Sequence, residues 1–583
     1  MNVTAMTRLS YTRLAALVLC AVAPLIPSPA APLYAQLAAQ QAAQPPQPPA
    51  DLIVTNARIY TVDDSRPVVS ALAVRGGRVA FAGDLRGAMA LRGAQTRVVD
   101  LGGRTVIPGM VDAHGHVSGL GDALAIVDLV GSTSVEDVVA RVVARSGGKT
   151  AGQWISGRGW DQNRWGDTRF PSHDKLSAAL PNNPVILGRV DGHAIYANKK
   201  AMELAGITAA TKDPEGGQII RGADGSPTGV FVDNAMALVR RVVPPATRDE
   251  VKRAVLAAIA EAQKWGLTGA HDAGADETVL GVYEELGKAG QMNFRMYAMI
   301  SGGRTETPAL DRLIARGPQS ALYDGMLWIR SIKLYSDGAL GSRGAALLDP
   351  YSDDAKNNGL LVSDPKFIEA IAVKALNAGF QVNTHAIGDR GNRVTLDAYE
   401  AALKQVPVAD HRFRIEHAQI LNYADVPRFA QLGVIPSMQA SHQTSDMYWA
   451  GARLGVHRLP GAYAWRALLN SGVVIPNGSD FPVEYVNPLI SFHAAMSRQD
   501  ANDWPAGGWY PEQAMTREEA LKAMTIWPAY AAFQERDLGS LTPGKYADFT
   551  VLDQDIMRVP ASLVLKTRVV STWVGGKAVY EAR

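Results

Sequence analysis

RTVIPGMVDAHGH, residues 104–116, is an apolar run that ends in two histidines one residue apart. In an extended segment residues i and i+2 point to the same side. A strand that runs out at its C-terminal end here therefore aims the imidazoles of His114 and His116 at one spot, which is half of a metal site. A lone His-x-His also suits surface histidines or satisfied core ones, so the rest of the chain decides between the two readings.

Outward from this stretch, apolar strand-like runs recur at 105–111, 267–272, 294–300, 329–335, 380–385, 412–416, 433–438 and 473–478. Helical patterns such as 249–264 and 366–378 separate most of them. Eight strands alternating with helices predict an α/β chain folded as a closed TIM-like (β/α)8 barrel. The gap after the first run is too long for one crossover, so residues 120–245 are read as an insertion, containing GRGWDQNRWGD (157–167), PVILGRVDGHAIYAN (184–198) and GGQIIRGADGSPTG (216–229). Short alternating runs at both chain ends, among them LIVTNARIYTV, YADFTVL and TRVVSTWV, need partners to be stable. They predict one small β-sandwich built from 51–104 and 535–583 around a barrel body of 105–534.

With 47% hydrophobic and 20% charged residues, the 583-residue chain can bury a large core. Lys plus Arg is 58 and Asp plus Glu is 56, a net charge of +2 that leaves no electrostatic footprint for nucleic acid or an anionic membrane. A small, near-neutral partner fits better. Arg8 and Arg13 precede the apolar run LAALVLCAVAPLI (14–26), and small residues follow around Ala30, Ala31 and Ala35. This reads as a secretory signal peptide over 1–35, giving an exported protein, periplasmic or secreted, with no stable membrane insertion after cleavage. The Gln, Ala and Pro tract 36–50 reads as a disordered linker. The single cysteine, Cys20, lies inside the apolar run, so the mature chain has neither disulfides nor a thiol nucleophile. Leu19 before it argues against a lipoprotein cleavage site.

Barrels of this kind build their sites at the C-terminal ends of the strands. There the sequence places His114, His116, Lys333 (in WIRSIKLYSDG), His385 (in FQVNTHAIGD), His417 (in RFRIEHAQ) and Asp480 (in VVIPNGSDFPV). Any one of these is explained as a satisfied polar residue or a helix cap; six together are not. By alternation Lys333 faces the barrel interior, where an ammonium is costly to bury and repels a cation. A carbamate formed from its amine and CO2 would instead be an anion with two oxygens able to bridge two metal ions. The alternative is an ammonium paired with Asp337 or Asp480. No GxSxG elbow, Walker loop or HExxH helix competes.

In this order, IPGMVDAHGH, GRGWD, RVDGH (189–193), IKLYSDGALGSRGA, NTHAIGD, RIEHAQ, NGSDFPV and GSLTPGKYADFTVLD resemble the amidohydrolase superfamily. Within it the chain is similar to the YtcJ-like metal-dependent amidohydrolases, the branch that includes N-substituted formamide deformylases. The resemblance implies hydrolysis of a non-peptide C–N bond in a small amide-type molecule by a metal-bound hydroxide. It also implies two divalent ions, the first on His114, His116 and Asp480, the second on His385 and His417, bridged by carboxylated Lys333. Imidazole and carboxylate ligands favour zinc, with manganese, iron or nickel compatible. Asp480 would shuttle the proton, and His193 would reach the centre from the insertion as a donor to the substrate carbonyl.

Trp160, Asp161 and Asp337 are candidate substrate contacts, with local packing, or for Asp337 helix capping, as the alternatives. Ala440 departs from the proline that many relatives carry after the glutamine, which leaves the roles of Gln439 and His442 open. Two other functions stand beside the leading one: ester or lactone hydrolysis or isomerisation on the same centre, and a non-catalytic ligand-binding or regulatory protein on the same fold. A homodimer is the default assembly.

Overall fold

Gly109 divides the opening apolar run. A Cβ there would collide with the side chain of Thr268, and the Gly109 N–H donates to the Asp548 carbonyl at 2.8 Å. The chain can therefore pass at this point from one sheet to another. Thr105–Pro108 pairs antiparallel with Phe549–Leu552 near the C-terminus, and Met110–Gly115 starts a separate parallel sheet. The run expected as one strand is thus two, and the glycine between them leaves room for the Thr268 side chain.

The computed structural model describes residues 48–583 apart from 163, 164, 168, 190–193, 215, 216 and 342. The expected signal peptide and most of the linker lie outside the described residues. Seven parallel strands follow one another around the barrel: β1 (Met110–Gly115), β2 (Leu267–Ala275), β3 (Arg295–Ser301), β4 (Leu327–Tyr335), β5 (Gln381–Ala386), β6 (Arg414–His417) and β7 (Ile435–Ser437). The expected eighth strand at 473–478 forms no regular ladder. It meets the end of β7 through a parallel bridge between Met438 and Asn477. On its other side Ala113 N–H donates to the Asn477 carbonyl at 3.2 Å and Asp480 N–H to the His114 carbonyl at 2.7 Å. Pro476 has no N–H to give a ladder, so the barrel closes through these single bonds.

Helices with clear stop and start signals cover the barrel. Arg248–Lys264 opens with a reciprocal capping box between Thr247 and Glu250. Pro365–Ala378 starts at the Asp364 cap and ends at Gly379, whose φ of 80° is left-handed. Ile332 and Leu334 of β4 pack outward against the core shared with these helices, which contains Val255, Ile259 and Ile368. The interior is polar instead: Ser331, Lys333, Asn383, Arg414, Glu416 and Ser437 are all buried.

Three further sheets accompany the barrel. Between β1 and β2 the insertion forms a six-stranded sheet in the order Gly217–Arg221, Pro227–Asp233, Ala194–Ala197, Val185–Arg189, Ile155–Trp160, Val127–Asp128, with a core that includes Leu129, Val138, Trp160 and Tyr196. The chain ends contribute a four-stranded and a six-stranded sheet whose shared core holds Val54, Leu72, Val79, Val106, Phe549 and Trp573. Arg295 on β3 ties the barrel to this sandwich through a two-pronged bond to Asp548, at 2.8 and 3.0 Å. Among the described residues no helix is long and apolar enough to cross a membrane.

Candidate metal centre

The C-terminal ends of β1, β5 and β6 and the segment after Asn477 converge. His114 is fully buried, and its Nε2 lies 3.6 Å from Asp480 Oδ1. His116 Nε2 lies 3.0 Å from the same oxygen. Ring centroids of His114 and His417 are 4.8 Å apart, and those of His385 and His417 are 4.5 Å apart. His114, His417 and Asp480 each bring one ligand atom within 4.8 Å of the others. Lys333 is buried beside them with its Nζ 4.7 Å from the centre of the Tyr335 ring. Among the described residues its Nζ makes no ion pair with Asp337 or Asp480, although the charge of Asp480 still favours its protonated form.

Burial drives the imidazoles neutral. It lowers His114 to about 4, with Lys333 adding to the effect, and His385 to about 3. His417 is likewise pushed well below its ordinary value by burial and the neighbouring histidines. Burial opposes ionisation of Asp480, but the close approach of the imidazoles of His116, His114 and His417 outweighs it and holds the carboxyl well below the usual range. Burial also lowers Lys333, against the pull of Glu416 and Asp480.

These groups fit a divalent cation for a reason visible in their hydrogen bonds. His114 Nδ1 lies 2.5 Å from Glu416 Oε2 and His417 Nδ1 lies 2.7 Å from Gln439 Oε1. Both partners accept, so both Nδ1 atoms carry the proton and both Nε2 atoms present bare lone pairs. His114 Nε2 and Asp480 Oδ1 are buried, face each other, and have no hydrogen-bond partner. Two acceptors in that position repel unless a cation lies between them.

The backbone bends to bring them there. His417 has φ 74° and Asp480 φ 61°, left-handed values that cost a non-glycine residue on the order of 1–3 kcal/mol each. Asp112, one turn of strand below His114, accepts from Ser479 Oγ at 2.7 Å, Ser479 N at 3.0 Å and His114 N at 3.0 Å. It thereby holds the Asp480 segment against β1. Burial raises the Asp112 pKa to about 7.

Other expected contacts lie elsewhere. Trp160 is fully buried in the core of the insertion, and its indole N–H donates to the Leu187 carbonyl at 2.9 Å, so it packs rather than lines the centre. Asp161 pairs with Arg189 at 2.7 Å. Asp337 accepts from the backbone N–H groups of Ala346, Ile387 and Gly388 at 2.8–2.9 Å. Both its oxygens hold the turn that precedes the helix Asp389–Gln405, and Oδ1 also lies 3.8 Å from His385 Nε2. His193 lies outside the described residues. Glu416 directly precedes His417 in RIEHAQ and Asp112 stands two residues before His114 in VDAHGH, yet neither is among the sequence candidates. Nothing in a linear pattern distinguishes an acid that faces a ligand from one that faces solvent. His442, left open from the sequence, lies with Nε2 3.6 Å from Asp480 Oδ2 and its ring stacked on His417 at 5.7 Å.

Residues 97–580 match the amidohydrolase family. The chain is 35% identical over 543 residues to Protein LONG AFTER FAR-RED 3 of Arabidopsis thaliana, covering 91% of this chain and 92% of that one. It is 31% identical over 492 residues to the putative amidohydrolase YtcJ of Bacillus subtilis, covering 84% and 91%. With the N-substituted formamide deformylase of Arthrobacter pascens it shares 30% identity over 557 residues, covering 91% and 98%. A crystal structure of a metal-dependent hydrolase from Pyrococcus horikoshii superposes with a TM-score of 0.73 at 28% identity, covering 88% of this chain and 99% of that one.

Proposed function

The chain belongs to the amidohydrolase family, and from that premise we propose that this metal-dependent hydrolase cleaves a non-peptide C–N bond of amide type in a small molecule. The observation that carries the reading is the opposed pair of bare acceptors, His114 Nε2 and Asp480 Oδ1, at 3.6 Å. His114, His116 and Asp480 would hold one ion, and His385 and His417 a second. Lys333, whose amine burial makes easier to deprotonate, would join them as a ligand after reaction with CO2. Zinc suits this donor set best. A divalent ion bound there lowers the pKa of water from ~15.7 to about 7 and polarises a carbonyl.

The chain's own groups do the rest. Asp480, held ionised, accepts the proton released when water adds to the carbonyl carbon. It returns that proton to the nitrogen as the C–N bond breaks, because an amine leaves readily only when protonated. Support for an amide-type bond comes from the similarity to the N-substituted formamide deformylase over almost that enzyme's whole length. The amino-terminal signal pattern supports export, and the N-terminal mass of the mature protein tests it. The reading as a whole is tested by metal content per chain, with turnover of N-formyl and N-acyl amines measured before and after chelation. About two ions, activity lost on chelation and restored by zinc, is the expected result. A protein that binds no metal, or that cleaves esters and lactones but no amide, overturns it.

A further inference from the structure

The barrel interior below the centre holds a charged chain of contacts where apolar layers usually sit. Arg414 reaches Glu416 through Nε at 2.7 Å and Nη2 at 3.0 Å. Its Nη2 also donates to the Ala113 carbonyl at 2.7 Å and Ser437 Oγ at 2.8 Å, and Nη1 meets His271 Nδ1 at 2.9 Å. Both charged side chains are completely buried. A guanidinium can only donate, so Glu416 is an ionised acceptor. The proton between Glu416 Oε2 and His114 Nδ1 then belongs to the histidine, and the lone pair of its other nitrogen must face Asp480.

Such a pair is a poor stabiliser. Taking two charges out of water costs about what their attraction returns, and apolar residues of the same volume commonly serve the fold as well or better. What the pair does supply is a fixed tautomer and a fixed ring direction for one ligand, at the layer where β1 and β6 face each other across the barrel. Glu416 touches no site where substrate would lie, so its action passes through His114.

We propose that Glu416, clamped by Arg414, is the positioning residue that makes His114 the anchoring ligand of the centre. The proposal rests on the reading that this centre holds cations. Replacing Glu416 should weaken metal binding by about 10- to 100-fold and leave other buried ion pairs of the protein without such an effect. The Arg295–Asp548 pair, equally buried and remote from the centre, is the internal control.

The experiment is competition for Zn2+ against a chromophoric chelator, using metal-stripped full-length mature protein as wild type, Glu416→Gln and Asp548→Asn, with thermal unfolding of each metal-free protein. Expected is a 10- to 100-fold rise in Kd for Glu416→Gln, Kd unchanged for Asp548→Asn, and lower melting temperatures for both. Should Glu416→Gln fail to fold, the charge-balanced variant Arg414→Met with Glu416→Gln carries the same test. Equal Kd values in all variants, or the same loss in both single variants, overturn the positioning role while leaving the metal centre intact. A wild type that binds no Zn2+ overturns the centre itself and the proposal with it.

Discussion

Asp480 combines three circumstances that make it the residue to alter first: a left-handed backbone, an oxygen shared by two histidines, and a carboxyl kept ionised against burial. Asparagine keeps its shape and one coordinating oxygen but cannot carry a proton. Asp480→Asn should retain much of the metal and lose about 10²- to 10⁴-fold in kcat, as read by metal analysis and turnover on one preparation; a variant with normal turnover removes Asp480 from proton transfer. His114 and His385 make a second prediction, for the metal-free protein. Unfolded, each imidazole takes up a proton near its ordinary 6.5; folded, only near 4 and 3. The unfolded chain thus binds more protons across that interval, and folding stability falls as pH falls from about 6.5 toward 4. Melting temperatures of the stripped protein between pH 7 and pH 4 should decline, and bound metal, which keeps the folded rings unprotonated while the unfolded ones still take up protons, should leave that decline at least as steep. An unchanged melting temperature over that range would refute the buried, neutral state of these histidines.

Among the elements, the segment 473–480 does the work of an eighth strand without being one. Asp112 and the backbone of β1 hold it on one side and Met438 on the other. A Cβ on Gly478 would collide with the His114 backbone nitrogen and lie 2.9 Å from the His114 Cβ. Gly478→Ala should therefore cost about 1–3 kcal/mol, the usual range for an overpacked interior, and should weaken metal binding because the shift falls on a ligand. Denaturant unfolding and Zn2+ competition check both; full stability with native affinity would mean that the closure has room to spare. The barrel rhythm was legible because parallel strands buried on both faces read as apolar runs, and each is followed by a helix pattern. The eighth position was legible as a run and not as an irregular closure, since a proline and a glycine inside an apolar stretch do not reveal which neighbours will replace the ladder.

For the whole molecule, the Arg295–Asp548 bond joins parts of the chain separated by 253 residues. Asp548→Asn leaves a buried guanidinium without its counter-charge and should cost about 3–5 kcal/mol, seen as a lower melting temperature with metal content unchanged. Loss of metal in that variant would show that the sandwich and the centre are coupled. The sequence by itself determined the barrel class, and it offered six strand-end residues as proposed ligands, because strand-end position and alternation are local properties. Tertiary structure alone decided that Trp160 is buried in the core of the insertion, that Asp337 accepts from the turn before the helix Asp389–Gln405, and that Arg414 and Glu416 stand behind His114. Whether a polar side chain meets a ligand, a backbone amide or another charge depends on which strands become neighbours across the barrel, and no local pattern records that.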